Sequence, residues 1–176
     1  MSNKLLWLDL EMTGLNPKKC HILQVATIIT DFHLNEIVAT DFIIWQPKSV
    51  LAAISPPIKL MHSQNKLLPK VESSKITLED VESYIFQLLL KHSHYQNTYL
   101  IGNSIHVDRL FLKQHMPLVE KFLHYRQIDI SSIKMLCREW FNMSFQSSTK
   151  THTALEDIRQ SIEELKYLRD NCFKHL

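Results

Sequence analysis

Glycine is almost missing from this chain, with 2 in 176 residues. No Gly/Ser linker, internal repeat or low-complexity tract divides it, so one domain spanning residues 1–176 is the economical reading. Cysteine is scarce as well. Cys20, Cys137 and Cys172 are odd in number and far apart, with no C-x-x-C pair. That leaves neither a zinc half-site nor a redox motif, and the thiols read as reduced and structural. His92 and His94 lack companions at ligand spacing, which sets a histidine-built zinc site aside. No apolar run approaches the ~18–20 residues that span a bilayer. The formal net charge is only +2. A protein that tracks long nucleic acid usually carries a stronger basic stripe, whereas a small anionic substrate needs only a few placed groups. The first apolar segment carries Asp9 and Glu11, unlike a secretory signal, and the expected location is the cytoplasm.

What is present is ordinary globular composition, 45% hydrophobic and 22% charged. Leu5 to Leu10 is apolar on both faces, as a central strand covered by helices would be. Two more β-rich runs, Ile22 to Thr30 and Ile37 to Trp45, flank a turn over Asp31 to Glu36. Ser49 to Ser74, with three prolines, reads as short helices joined by loops. Thr77 followed by Glu79 and Asp80 signals a helix start. A strand over Thr98 to Ile101 is broken by Gly102. Helices are expected over Ser104–Met116, Ser131–Phe141 and Thr153–Asn171, with a last strand over Arg126–Ile130. Strands first, then strand and helix in alternation, argue for an α/β sheet with helices on both sides.

Four carboxylates occupy positions that this pattern would give to apolar side chains. Asp9 and Glu11 share the strand face of Leu5 and Trp7. Asp108 lies on the helical stripe of Ser104, Ile105, Phe111 and Leu112, and Asp157 shares its stripe with the small Ala154 and Ser161. Carboxylates facing a core are costly and repel one another. Divalent cations would remove both penalties, and hard oxygen ligands suit Mg²⁺ or Mn²⁺ better than zinc. Each residue also has a plainer reading. A D-x-E pair at a strand end is often a solvated turn, Asp108 could pair with Arg109 or a nearby Lys, and Asp157 could join Glu156 and Arg159 on a charged surface.

The segment Trp7-Leu8-Asp9-Leu10-Glu11-Met12-Thr13-Gly14-Leu15 resembles the first exonuclease motif of oligoribonucleases, a family of DEDD-superfamily 3′–5′ exonucleases. Gly102-Asn103-Ser104-Ile105-His106-Val107-Asp108-Arg109 resembles their second motif. Thr151-His152-Thr153-Ala154-Leu155-Glu156-Asp157-Ile158 resembles the third, of the type with a catalytic histidine. His124-Tyr125-Arg126-Gln127-Ile128-Asp129-Ile130-Ser131 is similar to a segment characteristic of that family. The four segments occur in the family's order across nearly the whole chain.

The resemblance implies an RNase H-like fold, a five-stranded mixed sheet flanked by helices. It implies that Asp9, Glu11, Asp108 and Asp157 hold two divalent ions, Mg²⁺ or Mn²⁺, and that His152 is the general base. His152 and Asp157 are five positions apart, which on one helix would set them on different faces. They converge best if His152 precedes the helix, with Thr151 or Thr153 as its cap. The implied reaction releases nucleoside 5′-monophosphates from the 3′ end of very short RNA, dinucleotides above all. By the same resemblance Ser104, Arg126 and Ser131 close around the substrate's 5′ phosphate, Leu15 wedges against a base, His62 approaches the substrate, and Tyr125 reaches the partner's active site in a homodimer. Without the family context Arg126 could equally pair with Asp129, Tyr125 could be a core or interface residue, and His62 a loop histidine without a role.

Two departures stand out. Gln24 occupies a position where the family often has Glu, and Pro56-Pro57-Ile58 falls about where it offers a Trp that stacks on a base. Weaker base stacking, or another residue in that role, is expected. The competing readings are a related histidine-type exonuclease acting on longer RNA or DNA 3′ ends, and a non-catalytic nucleic-acid-binding module of the same fold. The family segment around Tyr125 speaks against the first, and the full set of acids against the second.

Overall fold

The computed structural model describes residues 2–145 and 153–173. Strand β1 (Lys4–Met12) is the middle strand of a five-stranded sheet in the order β3-β2-β1-β4-β5. β2 (Ile22–Thr30) and β3 (Glu36–Ile43) form an antiparallel meander on one side of it, and β4 (Thr98–Gly102) and β5 (Gln127–Asp129) run parallel to it on the other. The mixed sheet expected from the sequence is therefore present. Every residue of β2 is buried, in keeping with its mostly apolar sequence, and its buried polar side chains Gln24, Thr27 and Thr30 are hydrogen-bonded.

The alternation of β1 divides the core between the two faces. Leu6, Leu8 and Leu10 pack with Val81, Ile85 and Leu89 of α4 (Leu78–His92) and with Phe111 and Leu112 of α5 (His106–His115). Leu5 and Trp7 face the other way, toward Ala154, Ile158 and Ile162 of α8 (Ala154–Cys172) and Ile130, the first residue of α7 (Ile130–Phe141). Trp7 is fully buried and satisfies its indole N–H on Thr30 Oγ1 at 3.1 Å.

The Ser49–Ser74 region forms α1 (Lys48–Ala52), α2 (Pro56–Gln64) and α3 (Leu67–Ser73). Thr77 caps α4 in a full capping box with Asp80, as its sequence indicated. α6 (Pro117–Phe122) was not expected from the sequence. It is too short to show periodicity, and Pro117 disguised its start; proline at the first helical position is favourable. Among the described residues, no helix is long and apolar enough to cross a membrane.

Candidate active site

β1 and β4 pair from Lys4↔Thr98 to Trp7↔Ile101 and then part. Gly102 lies at the parting, so close to β1 that a Cβ there would meet the Leu8 carbonyl oxygen at 2.8 Å. Beyond it, the Leu10 N–H donates to Asp108 Oδ1 at 3.1 Å, from the first turn of α5. The carboxyl ends of the parallel strands thus open a cleft, the usual place for a site in an open α/β sheet.

Asp9 and Glu11 project from β1 on the face that α8 covers, and Asp157 lies in the first turn of α8. Burial, then Glu11 and Asp157, push the Asp9 carboxyl up to about 7. Burial and then the charge of Asp9 bring Asp108 to about 7, against the lowering effect of the Leu10 N–H. Glu11 is raised too, by burial and by Asp157. The four acids singled out from the sequence therefore sense one another's charge, though residues 9 and 157 are far apart along the chain. Among the described residues no three metal-binding side chains close around one point. Mutual repulsion of carboxylates works against such closure. The donor set consists of hard carboxylate oxygens in partly desolvated surroundings, which fits Mg²⁺ or Mn²⁺ in charge and in chemistry.

The plainer alternatives find other partners. Arg109 turns away from Asp108, its Nε at 3.2 Å from Glu120 Oε1 and a second donor at 2.9 Å from the His124 carbonyl. Arg159 pairs with Glu36 and Glu156. Asp129 accepts the Ser104 and Ser131 N–H groups on one oxygen, both at 3.0 Å, and faces His106 Nδ1 at 3.6 Å with the other. Arg126 lies over the Tyr125 ring, 5.2 Å from its centroid.

His62 is not in a loop. It sits on α2, fully buried behind Glu11. Its Nε2 must donate to the Met12 carbonyl at 2.8 Å, leaving Nδ1 at 3.7 Å from the Glu11 carboxylate with no hydrogen-bond partner among the described residues. The histidine thus packs behind Glu11 and is itself anchored to the end of β1 through the Met12 carbonyl. Gln24 stands opposite Glu11 in register and donates to Asp41 Oδ1 at 2.7 Å, a neutral amide between the two acids. Pro56 and Pro57 start α2 and are exposed, and no aromatic side chain replaces them there.

Ser104 and Ser131 meet at the mouth of the cleft. Ser104 adopts a left-handed backbone (φ 48°), which aims its N–H at Ser131 Oγ, 3.1 Å away. Tyr125 and Arg126 are exposed just before β5, and Leu15 is 74% exposed beyond β1. His152 and Thr151 lie outside the described residues. Thr153 occupies the N-cap position of α8 but its side chain makes no capping hydrogen bond, contrary to one of the two caps expected. Sequence reasoning missed Asn103 as a connecting residue; its amide donates to Ser161 Oγ at 2.7 Å. The small Ser161, one turn after Asp157, was the available signal.

The sequence model of the exonuclease family matches residues 6–165. The oligoribonuclease of Francisella tularensis subsp. tularensis is 41% identical over 169 residues, covering 96% of this chain and 95% of its own. The mitochondrial oligoribonuclease of Mus musculus is 39% identical over 178 residues, covering 99% of this chain and 75% of its own. Among solved structures, exonuclease I of Methylocaldum szegediense matches with a TM-score of 0.74 at 19% identity, over 98% of this chain and 41% of that one. A zinc-bound complex of E. coli exonuclease I with single-stranded DNA matches with a TM-score of 0.65 at 16% identity, over 96% and 41%. The chain spans well under half of those larger proteins, and the likeness establishes the RNase H-like exonuclease fold. Fold, sequence match and near full-length identity agree: this chain belongs to the oligoribonuclease family of exonucleases.

Proposed function

We propose that the chain is a single-domain 3′–5′ exoribonuclease that hydrolyses very short RNA, dinucleotides above all, to nucleoside 5′-monophosphates. The observation that carries this reading is the set of mutually repelling acids at the end of β1, a costly arrangement that a binding module for a polyanion would not need. Asp9, Glu11, Asp108 and Asp157 would hold two divalent cations, Mg²⁺ or Mn²⁺. Such ions, when bound, neutralise charge on the attacking and leaving oxygens of a phosphoryl transfer.

The remaining work falls to the chain's own side chains. α8 begins at Ala154, so His152 precedes its first turn in sequence, and it takes the proton of the attacking water. His62 packs behind Glu11 and ties α2 to the end of β1 through the Met12 carbonyl. Ser104, Ser131 and Arg126 receive the 5′ phosphate, Arg126 through its planar fork. Leu15 presses on a base; with no aromatic on α2, stacking there is weak. Met135, Leu136, Trp140 and Phe141 of α7 are exposed and apolar, which supports a homodimer in which Tyr125, 68% exposed, reaches the partner's cleft.

The test is cleavage of 5′-labelled RNA of two, three, five and seven nucleotides, with Mn²⁺, with chelator, and with the Asp108→Ala variant. Metal-dependent release of monophosphates that favours the dinucleotide and disappears in the variant is the expected result. Equal cleavage of the seven-mer would remove the 5′-phosphate roles given to Arg126 and Ser131. Absence of cleavage at every length would remove the enzyme and leave the binding module.

A further inference from the structure

We propose that Asn103 and Ser161 are positioning residues that set the span between the 5′ end of a bound dinucleotide and the catalytic carboxylates. This rests on the reading of the cleft given above. Three separate elements meet at Asn103: the β4–α5 connection that holds it, the first turn of α7, and α8. Its amide engages both of the others. Nδ2 donates to Ser161 Oγ at 2.7 Å, and Oδ1 accepts from Ser131 Oγ at 3.3 Å. Ser161 Oγ in turn donates to the Asp157 carbonyl at 2.9 Å. Ser131 Oγ accepts the Ser104 N–H at 3.1 Å, and Asp129 holds the N–H groups of both serines.

An unbroken polar chain therefore runs from the backbone of Asp157 to the two serines. Its direction is fixed, because each hydroxyl has one proton and each amide atom one role. The same amide and hydroxyl line a cavity of about 40 Å³ together with Asp9, Asp157 and Gly102, so the chain forms a wall of the catalytic cleft. Farther along, α7 and α8 touch through the apolar packing of Cys137, Leu168 and Cys172 and through the Lys134–Glu164 ion pair at 2.9 Å, contacts that lie away from Ser131 and Asp157. The planar amide of Asn103 is the group that links Ser131 through Ser161 to the backbone of Asp157, at the cleft itself.

A dinucleotide held at its 5′ phosphate needs that spacing, since an error near 1 Å in placing the reacting atoms can cost about a hundredfold in rate. A substrate without a 5′ nucleotide does not. The experiment compares a 5′-phosphorylated dinucleotide with the 4-nitrophenyl ester of a nucleoside 5′-monophosphate, both with Mn²⁺. Asn103→Ala and Ser161→Ala are each expected to lower kcat on the dinucleotide roughly tenfold more than on the ester. Ser161→Thr, which keeps the hydroxyl, is expected to restore the dinucleotide rate. The double alanine variant is expected to be no worse than the poorer single one, as for two members of one bridge. Melting temperatures accompany each variant. Equal losses on both substrates mark a general structural role and overturn the proposal, as does an unchanged dinucleotide rate. A wild-type enzyme that shows no preference for dinucleotides over longer RNA removes the reading of the cleft itself, whatever the variants do.

Discussion

Replacing Asp108 with Asn is expected to stabilise the metal-free protein at alkaline pH while abolishing activity. Asp108 is 7% exposed, and its carboxyl is held at about 7 in the folded chain against 3.8 for the free side chain. At about 1.4 kcal/mol per unit, the ionised group costs the fold roughly 4 kcal/mol. Part of that is repulsion from Asp9, and the buried Asn amide carries a smaller desolvation cost of its own, so a net gain of about 2–4 kcal/mol is expected. The Asn side chain retains an oxygen for the Leu10 N–H, so the hydrogen bond survives. The sign follows from proton counting. Between about pH 4 and pH 7 the folded chain holds a proton that the unfolded chain has released, so wild-type stability contributed by this group falls as pH rises through that window. Below pH 4 both states are protonated and the variant has no advantage. Thermal unfolding followed by circular dichroism in chelator should therefore show the variant melting roughly 4–16 °C higher at pH 8, at about 2–4 °C per kcal/mol for a chain of this size, and no higher at pH 3.5. Adding Mn²⁺ should raise the wild type and move the variant much less. A variant no more stable than wild type at pH 8 in chelator would refute the claim that this carboxylate is held at a cost.

Gly102→Ala places a Cβ at 2.8 Å from both the Leu8 carbonyl oxygen and Ile105 Cδ1, so it should destabilise by about 2–3 kcal/mol. It should also lower kcat by moving Asp9 relative to Asp108, and urea unfolding with steady-state kinetics would reveal both. Leu15→Ala alters a side chain that is 74% exposed. Its melting temperature should stay within the effect of about 0.5 kcal/mol while KM for a dinucleotide rises several-fold; an unchanged KM would exclude a base contact.

Much of this arrangement was legible beforehand because the sheet's periodicity survives in the sequence. The odd–even split of Leu5 to Glu11 set the acids on the face opposite Leu6, Leu8 and Leu10, and that is where they lie. The two-faced burial of Leu5 to Leu8 in β1 and the cap at Thr77 were equally visible. α6 escaped notice because one and a half turns leave no period to read. The Asn103–Ser161 bond and the Gln24–Asp41 pair join residues 58 and 17 positions apart, and no local pattern encodes such meetings. His62 was noticed, yet its burial depends on α2 folding over the end of β1, which only the assembled chain displays.

The position of α8 carries a consequence for how the molecule is made. This final helix packs across β1, β2 and β3, so its seat exists only after the meander has paired, and Asp157 arrives where Asp9 and Glu11 already wait. Its docking brings like charges together through long-range contacts, the slow class of folding event. A chain whose sheet has paired but whose α8 has not yet docked therefore has an incomplete cleft, and docking of that helix completes it in one step. Divalent cations, by relieving the repulsion that opposes that step, would hasten maturation as well as serve turnover.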